Sequence, residues 1–292
     1  MSMETLKQNI TSLHGPKGAA WIASLDATVE ERAKLWQLSQ ILPVPNMSWH
    51  YVARALSPDH GPVCLKIGCD GELMQREWLA LRAFQGYGAV EVLDYDPALC
   101  ALLLRCAVPG ITLKALFDAD EDRAITVYGR AVNALFGASD WPDGAQSVQE
   151  WLNVFHRVDE SKLPHGVLAR ATHLSVALLN IDGAHAFLHG DLHMENILQN
   201  DRTFVVIDPK GIVGPKGFEV AAFDFLKDQE LSPGSQARAH FERRVTTLSA
   251  LTGVSPQTLR DWVYVRLVLA ASWCLEDKAD PDPFLKRVQV LF

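Results

Sequence analysis

Three side chains in one short stretch have the types and the spacing that phosphoryl transfer requires. Residues 189–208 read HGDLHMENILQNDRTFVVID and contain Asp191, Asn196 and Asp208. A carboxylate such as Asp191 can orient an attacking hydroxyl, and Asn196 and Asp208 offer oxygen ligands for Mg²⁺ bound to ATP phosphates. A solvated acidic turn is the alternative, but the whole combination, with its strand hairpin, favours the chemistry.

The two histidines of this stretch are predicted to have structural roles. We expect His189 to hold the loop through hydrogen bonds, and we interpret His193 and Glu195 as ordinary loop residues. A zinc site built on the two histidines would need a further ligand, and the sequence offers no candidate for it.

A second candidate is the lysine of PVCLKIG, a segment predicted to be an apolar strand. An ammonium group in such a strand is costly unless it reaches a partner, and a nucleotide phosphate would serve for Lys66. Glu77, on the predicted next helix, would be its counter-charge, as in the strand-lysine and helix-glutamate pair of kinases. The alternative is a lysine that extends to solvent from an edge strand.

Helices and strands that could position these residues alternate along the first third of the chain. The patterns predict a leader helix over 21–41 that ends at Pro43 and Pro45, and a helix over 71–84. Four strands are predicted, in two pairs, over 48–56, 62–68, 89–95 and 99–108, and Pro109-Gly110 is predicted to stop the last one.

The rest of the chain is predicted to be mainly helical. Its exception is a tight hairpin of NILQ and TFVVID that turns at Asn200-Asp201, followed by a Gly/Pro/Lys-rich loop to residue 217. We therefore predict an α+β protein with an N-terminal lobe over 1–105, containing an antiparallel sheet, and a larger helical lobe over 106–292.

Composition narrows the classes of partner. The chain has 292 residues and a formal net charge of −8, which argues against a nucleic-acid binder. Five scattered cysteines fit a reducing compartment, and neither a signal peptide nor a membrane span is predicted. We expect a cytoplasmic protein whose partner is a small molecule, without nucleic acid, membrane or obligate protein partner.

Several motifs together resemble a known family. PVCLKIG with Glu77, LLLRCAVPG, LHGDLHMENIL and VIDPKG resemble the aminoglycoside phosphotransferases, which have the protein-kinase-like fold. WIASLDATVEERAKLWQL, VIDPKGIVGPKGFEVA and RDWVYVRLVLAASWCLED are similar, more narrowly, to the aminoglycoside/hydroxyurea resistance kinases of the streptomycin 6-phosphotransferase group.

The resemblance implies a two-lobed kinase that uses ATP and Mg²⁺. It implies that Asp191 is the catalytic base, that Asn196 and Asp208 bind magnesium, and that Lys66 binds the ATP phosphates. It further implies that the backbone of Arg105, Cys106 and Ala107 contacts adenine and that Glu219 steadies the catalytic loop.

Two departures from the family pattern concern the ligands. No Gly-x-Gly-x-x-Gly lies between Pro43 and Lys66, and Pro215-Lys216 stands where the group commonly shows Gly-Asp-Pro. The second departure bears on the identity of the substrate more than on the transfer of the phosphoryl group.

The acceptor is expected to be cationic or polyhydroxylated, like streptomycin, or to be hydroxyurea. Residues 118–160 are rich in acidic side chains and could steer a cation, although a solvated helical face is the preferred explanation of this segment. Glu276 and Asp277 are a second candidate acidic contact. A kinase of choline or amino sugars, or a nucleotide-binding regulator with little turnover, remain alternatives.

Overall fold

The computed structural model describes residues 3–181, 185–232 and 236–292. The chain divides into two compact units, Met1–Gly110 and Ile111–Phe292, and each is described by itself.

The first unit is a five-stranded antiparallel sheet with two helices. Its strand order is β1-β2-β3-β5-β4. Its elements are α1 (Met3–Leu35), β1 (Ser39–Pro43), β2 (Tyr51–Ser57), β3 (Gly61–Ile67), α2 (Gly71–Ala83), β4 (Val92–Asp96) and β5 (Ala101–Arg105).

The two faces of this sheet have different roles because side chains alternate along each strand. On one face, Leu65 and Ile67 pack with Leu6, Ile10 and Leu25 of α1 in a buried apolar cluster. The opposite face carries Lys66, which pairs with Val52 on β2 and with Leu102 on β5. The strand thus buries its apolar residues on one side and presents its lysine on the other.

The leader helix differs from the sequence prediction at both ends. It begins at Met3 and ends at Leu35, and residues 39–43 form β1 where the end of the helix was expected. The helix is kinked at Gly15, whose φ of 54° is not helical, and Pro16 restarts it. Pro43 therefore ends a strand, and the prediction that it ends a helix was wrong.

The second unit is mainly helical. Its elements are β6 (Pro109–Thr112), in which the unit begins, α3 (Leu113–Ala119), α4 (Glu121–Leu135), β7 (Gln146–Ser147), α5 (Val148–Leu152), α6 (Val167–Leu179), β8 (Ala186–Leu188), β9 (Ile197–Asn200), β10 (Thr203–Val206), β11 (Ile212–Gly214), α7 (Lys216–Val220), α8 (Ala237–Thr252), α9 (Pro256–Glu276) and α10 (Asp282–Leu291).

Two small sheets frame the segment with the predicted chemistry. β9 and β10 form the predicted antiparallel hairpin, with Asn200 opposite Thr203, within a sheet of order β10-β9-β6. β8 pairs antiparallel with β11, and β11 pairs parallel with β7. Residues 189–196 join β8 to β9, so strands fix both ends of that loop.

Two loop predictions need correction. The Gly/Pro/Lys-rich stretch that precedes residue 217 contains β11 and the start of α7. The strand predicted to reach residue 108 ends at Arg105, and Pro109-Gly110 begin β6. Over the described ranges, no helix is both long and apolar enough to cross a membrane.

Candidate active site

Lys66 and Glu77 form a buried ion pair in the first unit. The Lys66 ammonium lies 2.7 Å from the Glu77 carboxylate, and the two residues are only 6% and 4% exposed. Asp70 caps the N-terminus of α2 by accepting hydrogen bonds from Glu72 N and Leu73 N, which fixes the start of the helix that carries Glu77. The pair therefore belongs to a rigid strand and a capped helix.

The segment Arg105–Ala107 leaves the sheet next to this pair of elements. Arg105 N donates to Glu91 O at 2.9 Å, and Cys106 N donates to Pro62 O at 3.2 Å. The Arg105 side chain is bound to Glu91 and to the His60 carbonyl. Among the described residues, none accepts a hydrogen bond from Ala107 N, so this donor is the one left for a ligand.

His189 is fully buried and uses both ring nitrogens. Asp191 N donates to its Nδ1 at 3.2 Å, so Nε2 carries the proton and donates to Ile207 O at 2.8 Å. Burial lowers the pKa of His189 to about 4, against the opposing effect of the Ile207 carbonyl. The neutral ring thus ties the loop to the segment that precedes Asp208.

Both backbone groups of Gly190, its N–H and its carbonyl, are hydrogen-bonded. Its N–H donates to Glu219 Oε2 at 2.9 Å, and its carbonyl accepts from Arg266 Nη1 at 3.2 Å. Its φ is 88°, and a Cβ here would lie 3.1 Å from Trp151 and 3.2 Å from Ile212, so no larger residue fits well. Burial raises the pKa of Glu219 to about 7, although Gly190 N–H and Arg266 oppose it.

Asp191 and Asn196 are joined across this loop. Asn196 Nδ2 donates to Asp191 O at 2.9 Å, and Asn196 is buried. The Asp191 side chain is 42% exposed, and its Oδ2 lies 4.0 Å from His193 Nε2. The loop thus fixes the backbone of Asp191 and leaves its carboxylate accessible.

Asp208 follows β10 rather than ending it. Its φ is 61°, a conformation that aspartate tolerates better than most residues, and its Oδ2 lies 3.0 Å from Lys210 Nζ. Lys210 N donates to His189 O at 2.7 Å, so the segment of Asp208 is bound directly to the start of the 189–196 loop.

The donor set on this loop and hairpin fits magnesium. Because Asn196 Nδ2 is committed to Asp191 O, its Oδ1 is the amide atom left for a cation, and the Asp208 carboxylate is the second oxygen donor. Magnesium in nucleotide sites takes one or two protein oxygens besides phosphates and water.

The proposed acceptor contacts have other partners. Glu276, the last residue of α9, receives two hydrogen bonds from Arg157 at 2.8 and 3.2 Å, and Asp277 is the C-cap. Two rings connect this end of α9 to the 189–196 loop, since Trp273 packs at 5.4 Å against Trp151, which lies against Gly190.

The acidic residues over 118–160 are largely engaged in the second unit itself. Asp120, Glu150 and Asp159 cap helices or turns. Glu121 binds Arg243 and Arg244 of α8. These contacts favour the structural explanation of this segment over a wall that binds a cation.

Sequence reasoning missed three residues that support the loop. They are Arg266, Trp151 and Tyr128, whose hydroxyl donates to the Glu219 carbonyl at 3.2 Å. A lone arginine in the apolar run VYVRLVLAAS was a usable signal, of the same kind as Lys66 in its strand. The other two carry no such signal because tryptophan and tyrosine are common in cores.

Comparison with known proteins identifies the family. The sequence model of the aminoglycoside/hydroxyurea antibiotic resistance kinases matches residues 36–278. The chain belongs to this family. The streptomycin 6-kinase of Streptomyces glaucescens is 29% identical over 96% of this chain and 93% of its own length.

Solved structures show the same fold at lower identity. A choline/ethanolamine kinase family protein from Mesorhizobium loti has a TM-score of 0.67 at 18% identity, covering 90% of this chain and 92% of that one. A thermostable mutant of the aminoglycoside phosphotransferase APH(4)-Ia, with ADP and hygromycin B, has a TM-score of 0.65 at 16% identity, covering 89% and 96%. The predicted protein-kinase-like fold is confirmed, and the family is one of small-molecule phosphotransferases.

Proposed function

We propose that this chain transfers the γ-phosphoryl group of ATP, with Mg²⁺, to a hydroxyl of a cationic or polyhydroxylated acceptor of the streptomycin type, or to hydroxyurea. The observation that carries the proposal is the anchored loop. The His189 ring donates to the Ile207 carbonyl, Gly190 N–H donates to Glu219, and the Asn196 amide donates to the Asp191 carbonyl, while the Asp191 carboxylate is exposed beside them. A fixed, accessible carboxylate is what orienting a hydroxyl requires.

Asp191 accepts a hydrogen bond from the acceptor hydroxyl, orients its oxygen towards the γ-phosphorus and takes its proton as the bond to phosphorus forms. Asn196 Oδ1 and the Asp208 carboxylate would hold the magnesium, which neutralises charge on the phosphates. The Lys210 ammonium, 3.0 Å from Asp208 Oδ2, must move aside or turn towards the phosphates when the cation binds.

The first unit supplies the nucleotide contacts in this proposal. Lys66, fixed by Glu77, binds phosphate oxygens, and the unused Ala107 N–H donates to the adenine ring. The Arg105 and Cys106 N–H groups already donate within the unit, so these residues contribute only carbonyl oxygens.

Acceptor recognition is proposed for the end of α9. A cationic group of the acceptor would replace Arg157 against Glu276, with Asp277 beside it and Trp273 forming the apolar side. This arrangement suits the guanidinium groups of a streptomycin-like acceptor, and the relative from Streptomyces glaucescens is a streptomycin kinase by name.

The test is Mg²⁺-dependent formation of ADP by the purified chain across streptomycin, other aminoglycosides, hydroxyurea, choline and amino sugars. Asp191→Asn is expected to lower acceptor-stimulated turnover by about 10²–10⁴ and to leave ATP binding largely intact. Asp201→Asn is the matched control, because it makes the same change in the turn of the β9–β10 hairpin, outside the 189–196 loop, and should keep wild-type turnover.

Unchanged turnover in Asp191→Asn would contradict the assigned role of the carboxylate. ATP binding without turnover on any acceptor would favour a nucleotide-binding regulator.

A further inference from the structure

Two cysteines lie on the same sheet face as Lys66. Directly opposed residues in an antiparallel pair place their side chains on one face, and the side chains on each strand alternate between faces. Cys64 precedes Lys66 by two residues and pairs with Arg54 on β2 and with Leu104 on β5. It therefore shares the face that carries the nucleotide lysine.

The second cysteine reaches the same place from the segment after β5. Cys106 N donates to Pro62 O at 3.2 Å, which extends the ladder between β3 and β5 beyond Arg105. Cys106 follows Leu104 by two residues and is the diagonal neighbour of Cys64 on this face. The two thiols are near enough to shift each other's pKa, as is Arg54, and the Cys106 thiol also donates to the Ala107 carbonyl at 3.7 Å.

The local chemistry makes one of these thiols the nucleophile. The hydrogen bond from Cys64 lowers the pKa of Cys106 to about 7, with Arg54 adding to this effect and burial opposing it. The same hydrogen bond, together with burial, raises the pKa of Cys64. Burial raises the pKa of the other three cysteines, Cys69, Cys100 and Cys274. Thiolates are the reactive form, so Cys106 is the cysteine expected to react first.

We propose that Cys64 and Cys106 are a redox-active dithiol, and that its closure to a disulfide prevents the nucleotide from binding to the lysine face. The second half rests on the proposed function, in which the backbone at Cys106 and Ala107 contacts adenine. The sulfur atoms of a disulfide lie about 2.05 Å apart. Closure therefore draws Cys106 and the adjoining backbone towards β3.

Hydrogen peroxide is the oxidant, because it is small enough for Cys106, which is only 7% exposed. The Cys106 thiolate attacks one peroxide oxygen, the O–O bond breaks, and a sulfenic acid and hydroxide form. The Cys64 sulfur then attacks the Cys106 sulfur, giving up its proton as the S–O bond breaks and water leaves. In sum, two thiols and one peroxide give one disulfide and two waters, and the peroxide takes up two electrons.

The experiment treats the reduced full chain with peroxide, maps disulfides by peptide mass spectrometry, and measures MgATP affinity before treatment, after it, and after dithiothreitol. We expect a Cys64–Cys106 linkage and a loss of affinity of about tenfold or more that dithiothreitol reverses.

Single variants distinguish the roles of the two sulfur atoms. Each variant is measured after peroxide treatment and compared with its own reduced form. Cys64→Ser should stop at a sulfenic acid on Cys106 that dimedone traps, and Cys106→Ser should leave Cys64 unmodified. Cys274→Ser, on α9, should respond like the wild type.

Three results would overturn the proposal: no linkage between Cys64 and Cys106, a linkage that leaves MgATP affinity unchanged, or an equal peroxide effect in Cys106→Ser. Failure of the untreated, reduced chain to bind MgATP would overturn the proposed function, and with it the control of nucleotide binding. Because the linkage is mapped without nucleotide, this failure is distinguishable from failure of the dithiol.

Discussion

The second unit contains two buried clusters of arginine and glutamate. In one cluster the charged side chains bind each other, and in the other they bind the backbone of a loop. In the first, which we call the α8 cluster, Arg244 is fully buried and donates to both Glu121 and Glu230, at 2.5 to 2.8 Å. In the second, the loop cluster, Arg266 donates to the Gly190 and Phe218 carbonyls, while Glu219 accepts from Gly190 N–H.

Because the partners differ, the pKa of the glutamate is lowered in the α8 cluster and raised in the loop cluster. Burial alone would raise the pKa of Glu121, but the hydrogen bonds and charge of Arg244 outweigh it and lower this pKa to about 2. In the loop cluster burial prevails, because it raises the pKa of Glu219 to about 7 and lowers the pKa of Arg266. The α8 cluster stabilises the fold through paired charges, whereas the loop cluster uses its charges to hold a backbone.

The largest expected effect breaks the α8 cluster. Arg244→Met leaves Glu121 and Glu230 without their main partner, and should lower the free energy of unfolding by about 3–5 kcal/mol. Arg266→Met is the matched change in the loop cluster. It should cost only about 1–3 kcal/mol, because two backbone carbonyls lose a donor, but lower kcat by about tenfold or more with little change in KM for ATP.

Urea denaturation and steady-state kinetics of both variants check this contrast. Equal losses of stability, or an Arg266→Met enzyme with wild-type kcat, would contradict the division of roles between the clusters.

The second prediction sharpens the contrast through pH. The folded pKa of Glu219 is about 7, above its ordinary value of 4.5, so the folded state keeps this proton longer than the unfolded state. Its stabilising contribution is present below pH 4.5 and is lost as the pH rises towards 7. Glu219→Gln keeps an acceptor for Gly190 N–H and removes the titration.

Relative to that variant, the wild type should lose roughly 3 kcal/mol of unfolding free energy between about pH 4.5 and about pH 7. The unfolding free energies of the two proteins must be subtracted at each pH, because both contain His189. The lowered pKa of His189 makes stability fall as the pH drops over an overlapping range. For Glu121, whose folded pKa is lowered, the loss lies at the acid end instead, below pH 4.5. A pH-independent difference for Glu219→Gln would refute its raised pKa.

The smallest expected effect concerns an exposed pair outside both clusters. Arg157→Ala frees Glu276 from its ion pair and should lower KM for a cationic acceptor by about two- to fivefold without changing kcat. Glu276→Gln is the opposing control and should raise that KM. If neither variant changes KM, the acceptor does not bind at the end of α9.

Local patterns in the sequence predict much of the fold and of the loop. The strands around Lys66 and the hairpin after Asn196 follow from alternation and turn residues, and the structure contains both. The leader helix was misjudged because its end depends on where β1 pairs with β2 rather than on Pro43.

The support of the loop lay beyond local patterns. Arg266 reaches Gly190 across 76 residues, and Arg244 reaches Glu121 across 123, so only the folded chain brings these partners together. The exposure of Asp191 and the left-handed turn at Asp208 also depend on that packing. The candidate reactive groups can be predicted from the sequence, but the long-range contacts that fix their positions are seen only in the structure.

The most direct test of the account follows the phosphoryl group itself. ATP radiolabelled in its γ-phosphate is incubated with the wild type, Asp191→Asn and Asp201→Asn in the presence of the acceptor that stimulates turnover most. We predict acceptor-bound label for the wild type and Asp201→Asn, and almost none for Asp191→Asn. Label that appears only in inorganic phosphate, or in the acceptor equally with all three proteins, would contradict transfer directed by the Asp191 loop.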